Sequence, residues 1–201
     1  MAYRLSGAAV GPILRSLHFG LLILLFFGTV SRTAAKDAFA AVGSGTLDGV
    51  RDVYARIPPT DDLGRDQISM FRAWNPDPIG NHEANLKALD PSLARVIRKT
   101  EADNPGLPFV IGSGKRDAAL QRRAVAWGWS RTRHSYHRTG RAVDLWPLDP
   151  RGHISFDREA QDRIGAAMKK AASELHVSIR WGGNFRSFKK RDRSHFELVA
   201  R

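Results

Sequence analysis

The chain has 201 residues, 26% of them charged and 42% hydrophobic, which supports one domain of ordinary size plus an extension and excludes a disordered chain. It contains no cysteine, so a disulfide scaffold, a cysteine-based zinc finger and a thiol nucleophile are all excluded. A net charge of +12 favours anionic partners: nucleic acid, a lipid surface or a cell wall.

Residues 1–40 read as a targeting segment. Arg4 and Arg15 precede the apolar run Phe19–Val30, which is short of the about 20 residues a membrane span needs and suits the core of a signal peptide. Ala38-Phe39-Ala40 offers a cleavage pattern of small residues. An uncleaved anchor at residues 19–30 is the alternative, and a buried N-terminal helix a third. Signal or anchor, the segment puts the following domain outside the cytoplasm: periplasm, cell envelope or beyond.

Residues 41–84 carry little periodicity. Thr46 can cap a short helix with Leu47, Val50, Val53 and Tyr54 on one face, and Pro58-Pro59 would end it. Gly64, Pro76, Pro78 and Gly80 then point to a linker or a loop wrapping the domain. His82-Glu83 lacks the second histidine of a zincin helix, since position 86 is leucine.

The compact domain is expected over residues 85–201. Asp90-Pro91 is a helix start, with Leu93, Val96, Ile97 and Thr100 on one face and Asn104-Pro105-Gly106 as the stop. Phe109-Val110-Ile111 reads as a buried strand. Gly112-Ser113-Gly114-Lys115 departs from a phosphate loop, because Phe109 stands where the first glycine belongs and Arg116 where a Ser or Thr belongs. The glycines instead let the chain turn and present Arg116. Asp117 can cap a helix through Leu120, Gln121, Ala124 and Val125, with Gly128 as its end. Further on, Ser155 and Asp157 can start a helix from Arg158 to Leu175, and Ile179-Arg180-Trp181 reads as a strand.

The chemistry-bearing residues lie in two stretches. As a strand, Arg141–Leu145 puts Ala142 and Asp144 on one face; Ser194–Val199 likewise puts His195 and Glu197 on one face. If the two strands pair, Asp144 and His195 sit side by side, and His137 folds back across the Gly140 turn as a third metal ligand. Two imidazoles and a carboxylate suit zinc and leave a position for water, whose pKa the ion lowers. Asp192 is the candidate proton acceptor, with Glu197 as runner-up, and Arg116 the candidate oxyanion contact.

These residues also carry a resemblance. Ser135-x-His137-x-x-Gly140-x-Ala142-x-Asp144, Trp181-Gly182-Gly183 with Phe188, and Asp192-x-x-His195-Phe196-Glu197 resemble the motifs of the zinc D-Ala-D-Ala carboxypeptidase and L-alanyl-D-glutamate endopeptidase family, nearest its phage-endolysin branch. Ser113-Gly114-x-Arg116 with Gln121 resembles that family's substrate-side motif. The resemblance implies an α+β fold with a small antiparallel sheet flanked by helices. It implies one Zn2+ per chain on His137, Asp144 and His195, with Asp192 as base and Arg116 as oxyanion or substrate contact. Ser135 and Gln121 are expected near substrate, Glu197 and Trp181 behind the ligands. Two features depart from the branch: Gly183-Asn184-Phe185 replaces its usual Gly-Gly-Asp-Trp, and Lys189-Lys190-Arg191 lengthens the approach to Asp192.

The expected function is hydrolysis of peptidoglycan stem peptides, first at the L-Ala–D-Glu bond, by a monomer. The alternatives are a D-Ala-D-Ala carboxypeptidase and a non-catalytic basic wall-binding domain. Lys115, Arg122, Arg123, Arg131, Arg133, Arg138 and Arg141 could hold the protein against anionic wall polymers or envelope lipid. No nucleic-acid-binding motif is present.

Overall fold

A computed structural model describes residues 52–185 and 192–199. The elements, in chain order, are α1 (Gln67–Trp74), α2 (His82–Lys87), α3 (Pro91–Asp103), β1 (Phe109–Ser113), α4 (Ala118–Ala126), a 3-10 turn (Tyr136–Thr139), β2 (Ala142–Pro147), α5 (Arg158–Glu174), β3 (Ile179–Trp181), a second 3-10 turn (Gly182–Asn184) and β4 (His195–Leu198). The fold is α+β. The apolar run at residues 19–30, the cleavage pattern at 38–40, Phe188 and Lys189–Arg191 lie outside the described residues. Among those described, no helix is long and apolar enough to cross a membrane.

Carboxylate caps start four of the helices. Asp66, Asp90, Asp117 and Asp157 accept the backbone N–H of Ser69, Ser92, Leu120 and Ala160 at 2.9, 2.9, 2.7 and 2.8 Å. Three of these caps, and the Pro91 start of α3, stand where the spacing predicts them.

The sheet is antiparallel throughout, in the order β1-β2-β4-β3. Strand alternation gives it two unlike faces. Phe109, Ile111, Val143, Leu145, Phe196 and Leu198 turn one way and pack with Leu93, Val96 and Ile97 of α3 and Ile164 and Met168 of α5. On the other side, Val110 and Trp146 pack with Tyr54, Ile57, Phe71 and Trp74. Asp144, His195 and Glu197 alternate with the apolar set and so share the second side.

The stretch read as a linker or wrapping loop is therefore structural from residue 52 onward. Tyr54 sits in a turn rather than in the expected helix, and it is buried, as are Phe71 and Trp74 of α1. Tyr54 donates its hydroxyl hydrogen to the Asn75 carbonyl, and the Asn75 amide donates to the Ile111 and Gly112 carbonyls, each at 3.3 Å. This latch satisfies carbonyls of β1, an edge strand of the sheet. Aromatic residues without helical spacing build the contact, which is why periodicity does not reveal it.

His82 is buried and serves the fold. Its Nδ1 accepts the Ile111 N–H at 3.1 Å and its Nε2 lies 2.7 Å from Glu101 Oε1. It ties α2, β1 and α3 together, far from a ligand role.

Candidate metal centre

Pairing of β2 with β4 places Asp144 directly opposite His195, and Ala142 opposite Glu197. His137 enters from the 3-10 turn before β2. Ser135 caps that turn by accepting the His137 N–H at 3.3 Å, and Gly140 ends it with φ +72°, a left-handed conformation that glycine adopts without strain. A Cβ at Gly140 would also lie 2.9 Å from the Ala88 carbonyl oxygen, so the turn presses against the start of α3.

Three ligand atoms converge. His195 Nδ1 is 3.1 Å from Asp144 Oδ1, His137 Nε2 is 3.4 Å from the same oxygen, and the two ring nitrogens are 3.3 Å apart. The edge of a tetrahedron with arms of about 2.0–2.1 Å is about 3.3 Å, so the triangle fits one face of a four-coordinate ion. The far ring nitrogens are engaged as a ligand set requires: His137 Nδ1–H donates to the Gly114 carbonyl at 2.8 Å, and His195 Nε2–H donates to Glu197 Oε2 at 3.1 Å. Each ring is thereby oriented with its other nitrogen toward the centre. Among the described residues, His137, Asp144 and His195 form the one cluster able to hold a metal ion.

The charges around the cluster fit the same use. Desolvation raises Asp144, but the charges of His137 and Arg116 and hydrogen bonds from both histidines outweigh it, holding the carboxyl well below the usual range. Burial alone would lower His195; its hydrogen bonds to Asp144 and Glu197 overcome that and push it up to about 10. Glu197, desolvated yet bonded to His195 and Arg180, stays below its ordinary value. It is buried and orients His195, which leaves it poorly placed as a base.

Asp192 lies just before β4. Much of the residue is exposed, yet its carboxyl is raised, first by desolvation and then by the Asp144 charge, with His195 opposing. A raised carboxyl beside a ligand cluster suits a group that takes and returns a proton. Its segment is held on three sides. The Trp181 indole N–H donates to the Arg193 carbonyl at 2.8 Å, Arg193 Nε donates to Asp162 at 2.7 Å, and Ser194 Oγ donates to Asp192 Oδ1 at 2.8 Å. Gly182 packs so close that a Cβ there would collide with the Asp192 carbonyl oxygen.

Arg116 lies beside the cluster and is engaged on several sides. Its guanidinium is 6% exposed and turns Nη2 to Asp144 Oδ2 at 2.6 Å, Nε to Ser113 Oγ at 2.8 Å and Nη1 to Gln121 Oε1 at 3.4 Å. Its backbone N–H donates to the His137 carbonyl at 2.9 Å. It braces Asp144 through its side chain and His137 through its backbone. Gln121, expected near substrate, is also buried; its amide donates to Ser130 Oγ at 2.9 Å and the Thr132 carbonyl at 2.7 Å. Sequence reasoning missed Ser113 as a brace, the Asp162–Arg193 pair and the close approach of Gly182. The β-bulge between Ile111 and Ser113, which puts Ser113 opposite Asp144, has no sequence signal beyond Gly112 itself.

Comparison with known proteins adds a family and a solved structure. Residues 80–199 match the family model described as phage L-alanyl-D-glutamate peptidase. Among solved structures, the Serratia marcescens L-Ala D-Glu endopeptidase ChiX is similar, with 35% identity over 59% of this chain and 86% of that one, at a TM-score of 0.54. No curated protein matches the chain.

Proposed function

This chain belongs to the phage L-alanyl-D-glutamate peptidase family, and from that premise we propose that it is a zinc endopeptidase that cuts the L-Ala–D-Glu bond of peptidoglycan stem peptides outside the cytoplasm. The observation that carries the metal assignment is the triangle of His137 Nε2, Asp144 Oδ1 and His195 Nδ1, with both outer ring nitrogens already bonded. Zinc, when bound, would supply a Lewis acid and a water of lowered pKa.

The chain's own groups supply the rest. His137, Asp144 and His195 hold the ion. The Asp192 carboxylate accepts the proton of the attacking water as its oxygen bonds to the L-Ala carbonyl carbon. The same carboxyl then returns that proton to the D-Glu nitrogen as the C–N bond breaks, so the cycle closes with the base regenerated. Phe185, 6.0 Å from the His195 ring, and Arg180, which lies over Phe185 at 5.6 Å, stand beside this site.

Export follows from the signal or anchor reading of residues 19–30. The basic face follows from the charge pattern: no acidic residue stands between Asp117 and Asp144, while Arg122, Arg131, Arg133 and Arg138 there are exposed. Such a face would hold the enzyme on anionic wall polymers or envelope lipid, and raising the salt concentration should weaken that binding. Mass spectrometry of digested muropeptides tests the bond. Peptides with a new N-terminal D-Glu are expected; loss of terminal D-Ala alone would make the protein a carboxypeptidase.

A further inference from the structure

We infer that Trp74, in α1 and outside the segment matched to the family, is a positioning residue for the metal centre, acting through Arg116 on the ligand Asp144. The inference rests on the metallopeptidase reading above.

A guanidinium is planar: its donors lie in the plane, and its two faces form no strong hydrogen bonds. For Arg116 the in-plane edge is occupied by Ser113, Gln121 and Asp144. The guanidinium carbon lies over the Trp74 indole, 5.0 Å from its ring centroid, within the range of about 6 Å for a cation–π contact. Edge contacts fix where the donors point; the Trp74 contact adds a cation–π attraction that resists movement of the guanidinium away from the ring. Asp144 presents Oδ2 to Arg116 and Oδ1 to the histidines, so a shift of the guanidinium moves the ligating oxygen with it.

Trp74 is itself held firmly. Its ring packs on Trp129 at 5.2 Å and Trp127 at 6.0 Å, and the next residue, Asn75, is latched to the Ile111 and Gly112 carbonyls of β1. Arg123 Nη1 adds a bond to the Ala73 carbonyl at 3.3 Å. The end of α1 is thus tied to the strand that carries Ser113 and leads into Arg116. A core tryptophan needs none of this alignment with a buried cation. Phe71, one turn earlier in α1, shares the aromatic cluster through Trp129, Trp146 and Phe156 and serves as the packing control.

The test uses the full chain, stripped with a chelator and titrated with zinc against a chromophoric competitor. Trp74→Leu should weaken zinc binding about 3- to 10-fold, just below the range of about 10- to 100-fold seen for outer partners of metal ligands, because Trp74 acts through Arg116. Trp74→Phe, which keeps an aromatic face, should recover most of the loss, and Phe71→Leu should stay within about twofold of wild type. The effect of Trp74→Leu should vanish in an Arg116→Lys background, because an ammonium cannot keep the forked bonds to Ser113, Gln121 and Asp144 through which Trp74 acts. If the leucine variant does not fold, Trp74→Met, which also lacks an aromatic ring, carries the same cycle with and without Arg116→Lys. Unchanged zinc affinity in Trp74→Leu would overturn the inference, as would an equal loss in Phe71→Leu or a loss that persists with Lys at 116. A wild-type protein that binds no zinc would instead sink the metallopeptidase reading, and the inference with it.

Discussion

The two faces of the sheet do different jobs with alternate residues of the same strands. On the face covered by α3 and α5, Val143, Leu145, Phe196 and Leu198 are buried among apolar neighbours. On the other, Asp144, His195 and Glu197 meet at a charged centre. One residue of register separates a position that holds the fold from one that does chemistry. Neighbours such as His195 and Phe196 should therefore fail in different ways when substituted.

The largest effect belongs to the chemical side. Asp192→Asn should lower kcat about 10²- to 10⁴-fold, the usual worth of a general base, with the same metal content as wild type. Its melting temperature should not fall, because the raised Asp192 carboxyl is held against desolvation and the Asp144 charge. Full activity in this variant would remove Asp192 from the mechanism. On the opposite face, Phe196→Ala should cost about 3–5 kcal/mol of unfolding free energy by denaturant titration, since Phe196 is fully buried. A loss below about 1 kcal/mol would mean that this face is not the stabilising one.

Glu197→Gln sharpens the contrast at smaller scale. The carboxylate that orients His195 is lost but its volume remains, so zinc affinity should drop about 10- to 100-fold with little change in the fold. Equal affinity by competition titration would show that His195 needs no such partner.

The pH dependence separates metal-free from loaded protein. In the metal-free protein His195 is raised from 6.5 to about 10 by Asp144 and Glu197, so its protonated form is favoured by folding. That stabilising contribution is fully present below about pH 6.5 and is lost as pH rises toward 10. Zinc must displace the same proton, so its affinity should climb across the same window. Melting curves of chelator-treated and zinc-loaded protein should draw apart as pH rises; parallel curves would refute the coupling of His195 to the site.

The chemical face was more legible in the sequence than its supports. Asp144 and His195 follow from strand alternation, because a period of two needs no knowledge of the rest of the fold, and His137 follows from the Gly140 turn that folds it back. The caps at Asp90, Asp117 and Asp157 are local signals as well. The role of Arg116 is not local: which way its donors turn depends on the bulge at Gly112 and on Gln121 and Trp74. Residues 52–79 hid for a similar reason, since Tyr54, Phe71 and Trp74 find Val110 and Trp146 across the chain rather than along it.

The smallest expected effect tests whether α4 supports the site independently of the sheet. Asp117 accepts the Leu120 N–H at 2.7 Å and caps the helix that carries Gln121. Asp117→Ala should cost about 1 kcal/mol of stability, the ordinary worth of such a cap. The damage should stay in the first turn of α4, because Gln121 is also tied to Ser130 and Thr132 and Arg116 to Ser113 and Asp144. Zinc affinity should accordingly remain within about twofold of wild type, far from the loss expected for Glu197→Gln. The substitution also removes the acidic side chain that opens the run of arginines before Asp144, so binding to an anionic wall at low salt should tighten slightly. Should zinc affinity instead fall as far as in Glu197→Gln, the ligands would owe their placement to α4 as much as to the pairing of β2 with β4.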